Sequence, residues 1–177
     1  YQKFSSADES SVTRQEFSGI FGAYSFVGGA SYKDFDDVSG GRQTGLQPDT
    51  GYWERDGDLK FKYALDKATT LTVAGQSVTQ NDVPRTHSTI AARTFRGIAP
   101  GTDILRDLDQ RSDLAYLKIE QADEGAVLDA WQAAFSYQNQ AEREDRVQSN
   151  NRLQVRAYSD MVLGGFLQGE KATAIGR

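Results

Sequence analysis

The sequence predicts an all-β protein whose strands follow one another as an antiparallel, up-and-down sheet. Apolar and polar side chains alternate along several stretches, which is the period of a strand with one apolar and one polar face. Helical periodicity is scarce. The 177 residues include 17 Gly, 9 Phe, 8 Tyr and 2 Trp. A disordered chain would be poor in aromatic residues, so this composition favours a folded sheet.

We expect roughly seven strands from this alternation, several of them near the length of ~10 residues that a tilted membrane strand needs. In chain order they cover residues 16–21, 26–35, 58–65, 69–80, 114–121, 130–140 and 152–167. Residues 130–140 alternate most clearly. In the last strand apolar residues recur at odd-numbered positions from residue 153 to residue 167, so we expect this strand to be long.

The alternation sorts side chains onto two faces. One face carries aromatic residues, namely Phe61, Tyr63, Trp131, Phe135 and Tyr137. The other carries charged and amide residues, namely Lys60, Lys62, Gln132, Gln138 and Arg156. In a membrane barrel the first set would face lipid and the second would line a polar lumen. A soluble sheet with one wet face shows the same alternation, so this pattern alone leaves both placements open.

The joins between the expected strands differ in length. Short joins lie at residues 22–25, 66–68 and 123–125, and long joins lie at residues 38–51, 81–110 and near 148–151. Short turns on one side and long loops on the other are typical of an up-and-down outer-membrane barrel. A β-sandwich would space its strands more evenly. We therefore predict a transmembrane β-barrel, in which the charged residues 142–146 leave the bilayer and rise into a loop.

Composition and motifs argue against several function classes. The net charge of -5 and the absence of a Lys/Arg cluster exclude a nucleic-acid footprint. No Cys is present for a disulfide framework or a thiolate metal site. Neither a Gly-x-Ser-x-Gly elbow nor a phosphate loop occurs. We expect a protein that is not an enzyme, with no catalytic residues, no metal site and no cofactor.

The long middle join holds the candidate ligand-binding side chains. They are Arg85, His87, Arg96 and Arg106. His87 is the single histidine and is of a type that contacts haem iron, but no second His, Cys or Met lies near it. The alternative is that Pro84 and its neighbours fix the base of the loop, with Arg85 pairing to Asp82 or Asp107. The charged residues 106–111 fit either a wall facing a ligand or a salt-bridge network at a barrel rim.

Two stretches of this join are the most specific in the chain. They read QNDVPRTH at residues 80–87 and LRDLDQ at residues 105–110. Together with YKDF at residues 32–35 and the segment 50–59, they resemble the barrel of TonB-dependent receptors. The resemblance is strongest to those grouped as haemoglobin, transferrin or lactoferrin receptors, and it covers most of residues 17–156.

The resemblance implies a barrel of about 22 strands closed around an N-terminal plug. It implies active uptake of a scarce ligand, such as an iron complex or haem, across the outer membrane of a Gram-negative-type bacterium. The partners would be the TonB complex, acting through the plug, and outer-membrane lipid. Residues 1–177 would then be a single barrel segment, with the plug and the remaining strands outside this chain. A self-closing eight-stranded barrel, a passive porin-type barrel and a soluble carbohydrate-binding sheet are the alternatives.

Overall fold

The strands form one eight-stranded antiparallel sheet in which sequence neighbours are also spatial neighbours. The computed structural model describes residues 1–41, 44–94, 97, 99–122 and 127–172. The strands are β1 (Gln2–Ser5), β2 (Ser10–Phe21), β3 (Tyr24–Phe35), β4 (Tyr52–Ala64), β5 (Thr69–Pro84), β6 (Leu105–Ala122), β7 (Ala130–Val147) and β8 (Leu153–Glu170). A 3-10 helix at Thr86–Ser88 is the only helix within these ranges. The predicted all-β, up-and-down architecture is confirmed, and the sheet is open, with β1 and β8 at its edges.

Several strands are longer than the alternation predicted, and β1 is an eighth strand that the prediction missed. Four residues are too few to show a period, although β1 pairs with β2 along its whole length. Strand β6 begins at Leu105 and β7 continues to Val147. Charged side chains on both faces hide the alternation there. The backbone pairing of β6 with β7 nevertheless continues to the last pair at the long-loop end, which joins Leu105 to Val147. Residues 142–146 therefore belong to a paired strand, and their predicted placement in a loop was wrong.

The joins confirm two of the three predicted long loops. The first covers residues 36–51, and the second shrinks to residues 85–104 because β5 and β6 extend into it. The third prediction was wrong, since residues 148–152 form a tight turn in which the Gln148 amide donates to the Arg152 carbonyl at 3.0 Å. Asn151 closes this turn with a φ of 63°. The predicted short join at residues 123–125 lies outside the described residues.

The joins divide between the two ends of the sheet. Residues 6–9, 36–51, 85–104 and 148–152 lie at one end, which we call the long-loop end. Residues 22–23 and 65–68 lie at the opposite, short-turn end. An antiparallel sheet with sequential strands requires this arrangement, since every strand reverses the direction of its predecessor. The two long loops therefore lie on the same side.

Cross-strand partners share a face, so the register assigns every strand residue to one of two faces. The apolar face carries, near the short-turn end, Phe17, Phe26, Leu59, Phe61, Tyr63, Val73, Leu117, Phe135, Tyr137 and Leu163. The polar face carries Arg14, Lys33, Glu54, Asp56, Asp58, Lys60, Lys62, Gln132, Gln138 and Arg156. The ten side chains that the sequence assigned to the two faces lie on the predicted faces. Towards the long-loop end the faces are mixed, since Phe35 lies on the polar face and Arg143 lies on the apolar face.

Burial on the two faces is the reverse of that in a water-soluble domain. On the apolar face Phe135 is 53% exposed and Leu163 is 58% exposed. On the polar face Thr72 is 1% exposed and Glu54 is 8% exposed. Leu108 is the one buried hydrophobic residue in the described part of the chain. Large apolar residues are normally the buried ones, so the sheet leaves its apolar face without the cover that a soluble core would supply.

Glycine at position 28 lets an aromatic ring lie close to the backbone of β3 on the apolar face. Phe17 pairs with Gly28, and a Cβ there would lie 2.8 Å from Phe17 Cζ and 2.7 Å from the Asp58 carbonyl oxygen. Such a close approach excludes any larger side chain at this point of the strand. The Phe17 ring, which belongs to β2, therefore extends over β3 at Gly28.

In none of the described ranges does a helix have the length and hydrophobicity needed to cross a bilayer.

Candidate functional site: the polar face and the long-loop end

Arg14 is the centre of a charge network on the polar face. Its Nε lies 2.7 Å from Glu16 Oε1, its Nη1 lies 3.3 Å from Asp56 Oδ1, and its Nη2 lies 2.6 Å from Asp58 Oδ1. Arg14 belongs to β2 and the two aspartates belong to β4, so the guanidinium crosses β3. It passes over Gly29, where a Cβ would lie 2.6 Å from Nη2.

Lys33 extends the network towards the long-loop end. Its ammonium group pairs with Glu54 and lies 2.9 Å from Asp56 Oδ2. Gln80 on β5 donates from Nε2 to Glu54 Oε2 at 2.6 Å. The nearly buried Glu54 carboxylate is therefore held by partners on both neighbouring strands, as a buried charge requires. The network links β2, β3, β4 and β5 through side chains alone.

A second charged group lies on the polar face of β6 and β7. Arg106 Nε donates to Glu144 Oε1 at 3.0 Å, and Gln110 Nε2 donates to Glu142 Oε2 at 2.5 Å. These contacts support a salt-bridge network near the ends of the strands, one of the two interpretations left open by the sequence. They fill the polar face with fixed dipoles and charges, and such a surface suits contact with water or with a polar partner.

The second long loop is fixed at its base by an ion pair. Asp103 is 3% exposed, and both of its carboxylate oxygens accept hydrogen bonds from Arg146, each at 2.8 Å. The Gly101 amide donates to the His87 carbonyl at 3.1 Å. A Cβ at Gly101 would lie 1.9 Å from the Ser88 carbonyl oxygen, so only glycine fits there. The loop therefore leaves and re-enters the sheet with a defined geometry.

The two long loops contact each other. Thr86 Oγ1 donates to the Asp49 carbonyl at 2.6 Å, and Arg93 Nη1 donates to the Thr44 carbonyl at 3.0 Å. Within the first loop the Asp37 carboxylate accepts from the Thr50 amide at 2.8 Å. Residues of both loops therefore contribute to one continuous surface at the long-loop end.

The sequence-predicted site residues do not all meet on this surface. Arg85 and His87 are both exposed there, at the base of the second loop. Arg106 lies in β6 and not in the loop, because the strand starts one residue before it, and its side chain is turned to Glu144. Its carbonyl accepts from the Arg85 amide at 2.7 Å. Arg96 lies outside the described residues.

The expected pairing of Arg85 with Asp82 or Asp107 is not found. Among the described residues no ion pair involves the Arg85 side chain. Asp82 instead donates its amide to Asp109 Oδ1 at 3.1 Å, next to the irregularity in the β5–β6 register between Gln80 and Val83. The Arg85 side chain is therefore exposed at the long-loop end.

The charge network around Arg14 was not predicted from the sequence. The sequence signal for this network is the spacing of charged residues at every second position. Arg14 and Glu16 show it along one strand, and Glu54, Asp56 and Asp58 show it along another. Recognising it requires the register that brings these stretches onto one face, which the sequence does not supply. Across the described residues no group of three or more His, Cys, Asp or Glu side chains is placed to hold a metal ion.

A polar cavity of about 350 Å³ lies near the short-turn end. Its lining includes Lys62, Glu120, Gln132, Gln168 and Glu170 from the polar face, together with Trp131. The amides of Gln132 and Gln168 are joined by a hydrogen bond of 2.9 Å.

In comparisons with known proteins, no family model matches the chain, and neither a curated protein nor a solved structure matches it.

Proposed function

We propose that this chain forms part of the wall of an outer-membrane β-barrel, and that the barrel is a TonB-dependent receptor taking up a scarce ligand such as an iron complex or haem. One observation carries the first half of the proposal. Large side chains of the apolar face are exposed, whereas Glu54, Thr72 and Leu108 on the polar face are buried, and the edge strand β8 is exposed on both faces. The second half rests on the motifs at residues 80–87 and 105–110.

Energetics favour lipid as the cover of the apolar face. Burying one Leu or Phe side chain is worth about 1.5–3 kcal/mol relative to leaving it in water. The exposed apolar residues of this face include Phe17, Phe21, Leu59, Val73, Leu117, Phe135, Met161, Leu163 and Leu167. Hydrocarbon covers such a surface without the cost that water imposes. A soluble sheet would need another layer of protein across the same area.

The backbone adds a second requirement. Inside a bilayer every backbone amide and carbonyl needs a partner within the protein, which a sheet satisfies only when it closes. Strands β3 to β7 are paired on both sides, β2 is paired with β1 only over residues 10–13, and the 18 residues of β8 are paired with β7 alone. We therefore propose that the edges at β1 and β8 are covered by other strands of one barrel, which the resemblance puts at about 22 strands.

In such a barrel the polar face lines the lumen, where charged groups are paired and hydrated. The network around Arg14 and Glu54 would give the wall a rigid polar surface against a plug. The two long loops would face outward, and Arg85 and His87 would be available to an external ligand. Energy would reach the plug from the TonB complex, so that transport is gated and not passive.

The test is the extraction of the native protein from bacterial membranes, followed by its intact mass. The proposal predicts that the protein sediments with the outer membrane, needs detergent for release and has a mass several times 19.5 kDa. A protein that stays in buffer without detergent at a mass near 19.5 kDa would contradict it.

Conductance separates the receptor from a passive porin. In a planar bilayer the purified full protein should be nearly silent, because a plug fills the lumen. An open channel at rest would instead support the porin-type barrel. Uptake of haemin and of ferric siderophores by intact cells should then stop when the TonB complex is deleted.

A further inference from the structure

Arg55 stands at the boundary of the apolar face. Along β4 this face carries, from the short-turn end, Tyr63, Phe61, Leu59, Gly57, Arg55 and Trp53. Arg55 is therefore the first charged residue beyond the apolar part of the strand on the way to the long loops. The cross-strand neighbours of Arg55 on this face are Tyr32 and Thr79.

Two aromatic rings cover the guanidinium group of Arg55. Its Cζ lies 4.6 Å from the centroid of the Trp53 ring and 5.8 Å from that of Tyr32. The two rings are themselves 6.5 Å apart. Both distances lie within the range of a cation–π attraction. Such a contact uses none of the N–H donors of the guanidinium, so these donors remain available to an acceptor.

The other arginines of this face have internal partners. Arg111 Nε lies 2.8 Å from Asp113 Oδ2, and Arg143 Nε lies 3.1 Å from Asp145 Oδ2. For the exposed Arg55 side chain, the described residues supply neither an ion pair nor a hydrogen bond. Asp34, which pairs with Trp53 in the register, is the nearest acidic residue along the neighbouring strand on this face, and it forms no ion pair with Arg55.

We propose that Arg55, with Trp53 and Tyr32, binds the phosphate of an anionic lipid headgroup in the outer leaflet. The inference rests on the proposed function, since it requires the apolar face to contact lipid. Trp and Tyr are enriched where a membrane wall meets the polar headgroups. A guanidinium offers two parallel N–H donors to phosphate oxygens, which an ammonium group cannot do. The Thr79 hydroxyl lies on the same face of the adjoining strand and adds a donor.

The site fixes how deeply this part of the wall lies in the membrane. Below Arg55 this face carries no charged residue on β3, β4 or β5 down to the short-turn end, although Asp113 on β6 lies one row below it. Above Arg55 the face becomes charged, with Asp109, Arg143 and Asp145 at the long-loop end. A bound headgroup would hold this boundary at the membrane surface. The occupant is a lipid phosphate and not a free anion, because the aromatic platform adjoins the apolar surface that acyl chains would cover.

The experiment measures lipid binding to the full membrane protein in nanodiscs and by native mass spectrometry. The probes are phosphatidylglycerol, phosphatidylcholine and inorganic phosphate. Wild-type protein should retain phosphatidylglycerol roughly tenfold better than phosphatidylcholine, and Arg55→Gln should lose that preference. Arg55→Lys should keep only part of it, because it retains the charge but not the paired donors. Arg143→Gln is the matched control, and it should behave as wild type.

The outcomes separate this inference from the proposed function. If the protein inserts into bilayers but Arg55→Gln binds both lipids as wild type does, the headgroup site is wrong and the barrel proposal stands. If inorganic phosphate binds as well as the lipid does, the lipid assignment is wrong. If wild-type protein fails to insert into either bilayer, both proposals fail.

Discussion

Arg14 reaches Asp58 across the full width of strand β3, and the two side chains meet at 2.6 Å between Nη2 and Oδ1. Neighbouring strands lie about 4.8 Å apart, so the contact joins strands separated by roughly twice that distance. The crossing is possible because position 29 has no side chain. The result is a side-chain link between β2 and β4 that adds to the backbone ladders on either side of β3.

Adding a methyl group at position 29 should break this link. In Gly29→Ala the new Cβ would lie 2.6 Å from Arg14 Nη2 and 2.9 Å from the Gln15 carbonyl oxygen, so the guanidinium must move. We expect a loss of roughly 1–3 kcal/mol in the free energy of unfolding, measured by urea titration of the protein in lipid vesicles.

Gly57→Ala is the matched control for that experiment. A Cβ at Gly57 would have its nearest neighbour, the Gly29 carbonyl oxygen, at 3.8 Å, which is ordinary van der Waals contact. This substitution should be neutral or slightly stabilising, because alanine restricts the unfolded chain. Equal urea midpoints for the two variants would show that Gly29 has no role in accommodating Arg14.

Removing the ion pair at the base of the second loop should free that loop. In Arg146→Ala the nearly buried Asp103 carboxylate loses both of its hydrogen bonds from the guanidinium. We expect limited proteolysis within residues 85–104 of the membrane-embedded protein to become roughly tenfold faster, because cleavage follows the population of the open loop.

Arg143→Ala provides the comparison on the same strand. Arg143 pairs with Asp145 at the surface, on the opposite face of β7 from Arg146. Its loss should leave the cleavage rate of the loop unchanged, as expected for an exposed ion pair. If Arg146→Ala and Arg143→Ala are cleaved at the same rate, the ion pair does not hold the loop.

The turn between β4 and β5 should respond to acid. Asp66 Oδ1 accepts the amides of Ala68 and Thr69, each at 2.7 Å. The Ala68 amide, followed by the bonds to Thr69, lowers the pKa of the Asp66 carboxyl below its ordinary value. Because the folded pKa lies below the unfolded pKa of about 3.9, the stabilisation is complete above that value and is lost as the pH falls through the folded pKa.

The carboxyl carbon resonance of Asp66, followed by NMR during an acid titration, checks this expectation. Its midpoint should lie below that of an unstructured aspartate. The Asp66→Asn variant should also show a weaker loss of stability on acidification than wild type. A midpoint at or above that of free aspartate would contradict the assigned hydrogen bonds.

Charge placed on the apolar face should be costly, and the same charge on the polar face should not. Leu117 is 46% exposed and lies between Val73 and Phe135 in the register. If lipid covers this face, Leu117→Arg should lower the unfolding free energy in a bilayer by ~2–4 kcal/mol. Tyr116→Arg, one residue away on the polar face, should cost much less. Similar effects of the two substitutions would mean that Leu117 does not contact hydrocarbon.

The sequence predicted strands well wherever one face is uniformly apolar. In β7, Trp131, Phe135 and Tyr137 made the period visible, and the structure places them together on one face. The prediction ended at residue 140 because charged residues follow on both faces. There the strand is held by backbone pairing and by cross-strand charge compensation such as that of Arg106 with Glu144. A period of hydrophobicity cannot report contacts of that kind.

The candidate site was predictable only in part. Arg85 and His87 lie in the second long loop, as the turn and strand signals on either side of that loop predicted. Arg14 and Asp58 are 44 residues apart in the chain, and their contact depends on the register of two successive hairpins. A shift of one residue would move either side chain to the other face. Such long-range contacts follow from the assembled sheet and not from any local pattern.

Single-cysteine labelling along residues 131–138 tests the central claim most directly. Residues 1–177 contain no Cys, so the only label within this chain is at the introduced position. In bilayers, labels at Ala133, Phe135 and Tyr137 should be quenched by nitroxide groups on lipid acyl chains, and labels at Ala134, Ser136 and Gln138 should react with water-soluble reagents. Lipid quenching that alternates with residue number is the predicted result. Equal accessibility of both sets to water-soluble reagents, with no quenching by lipid, would contradict the account.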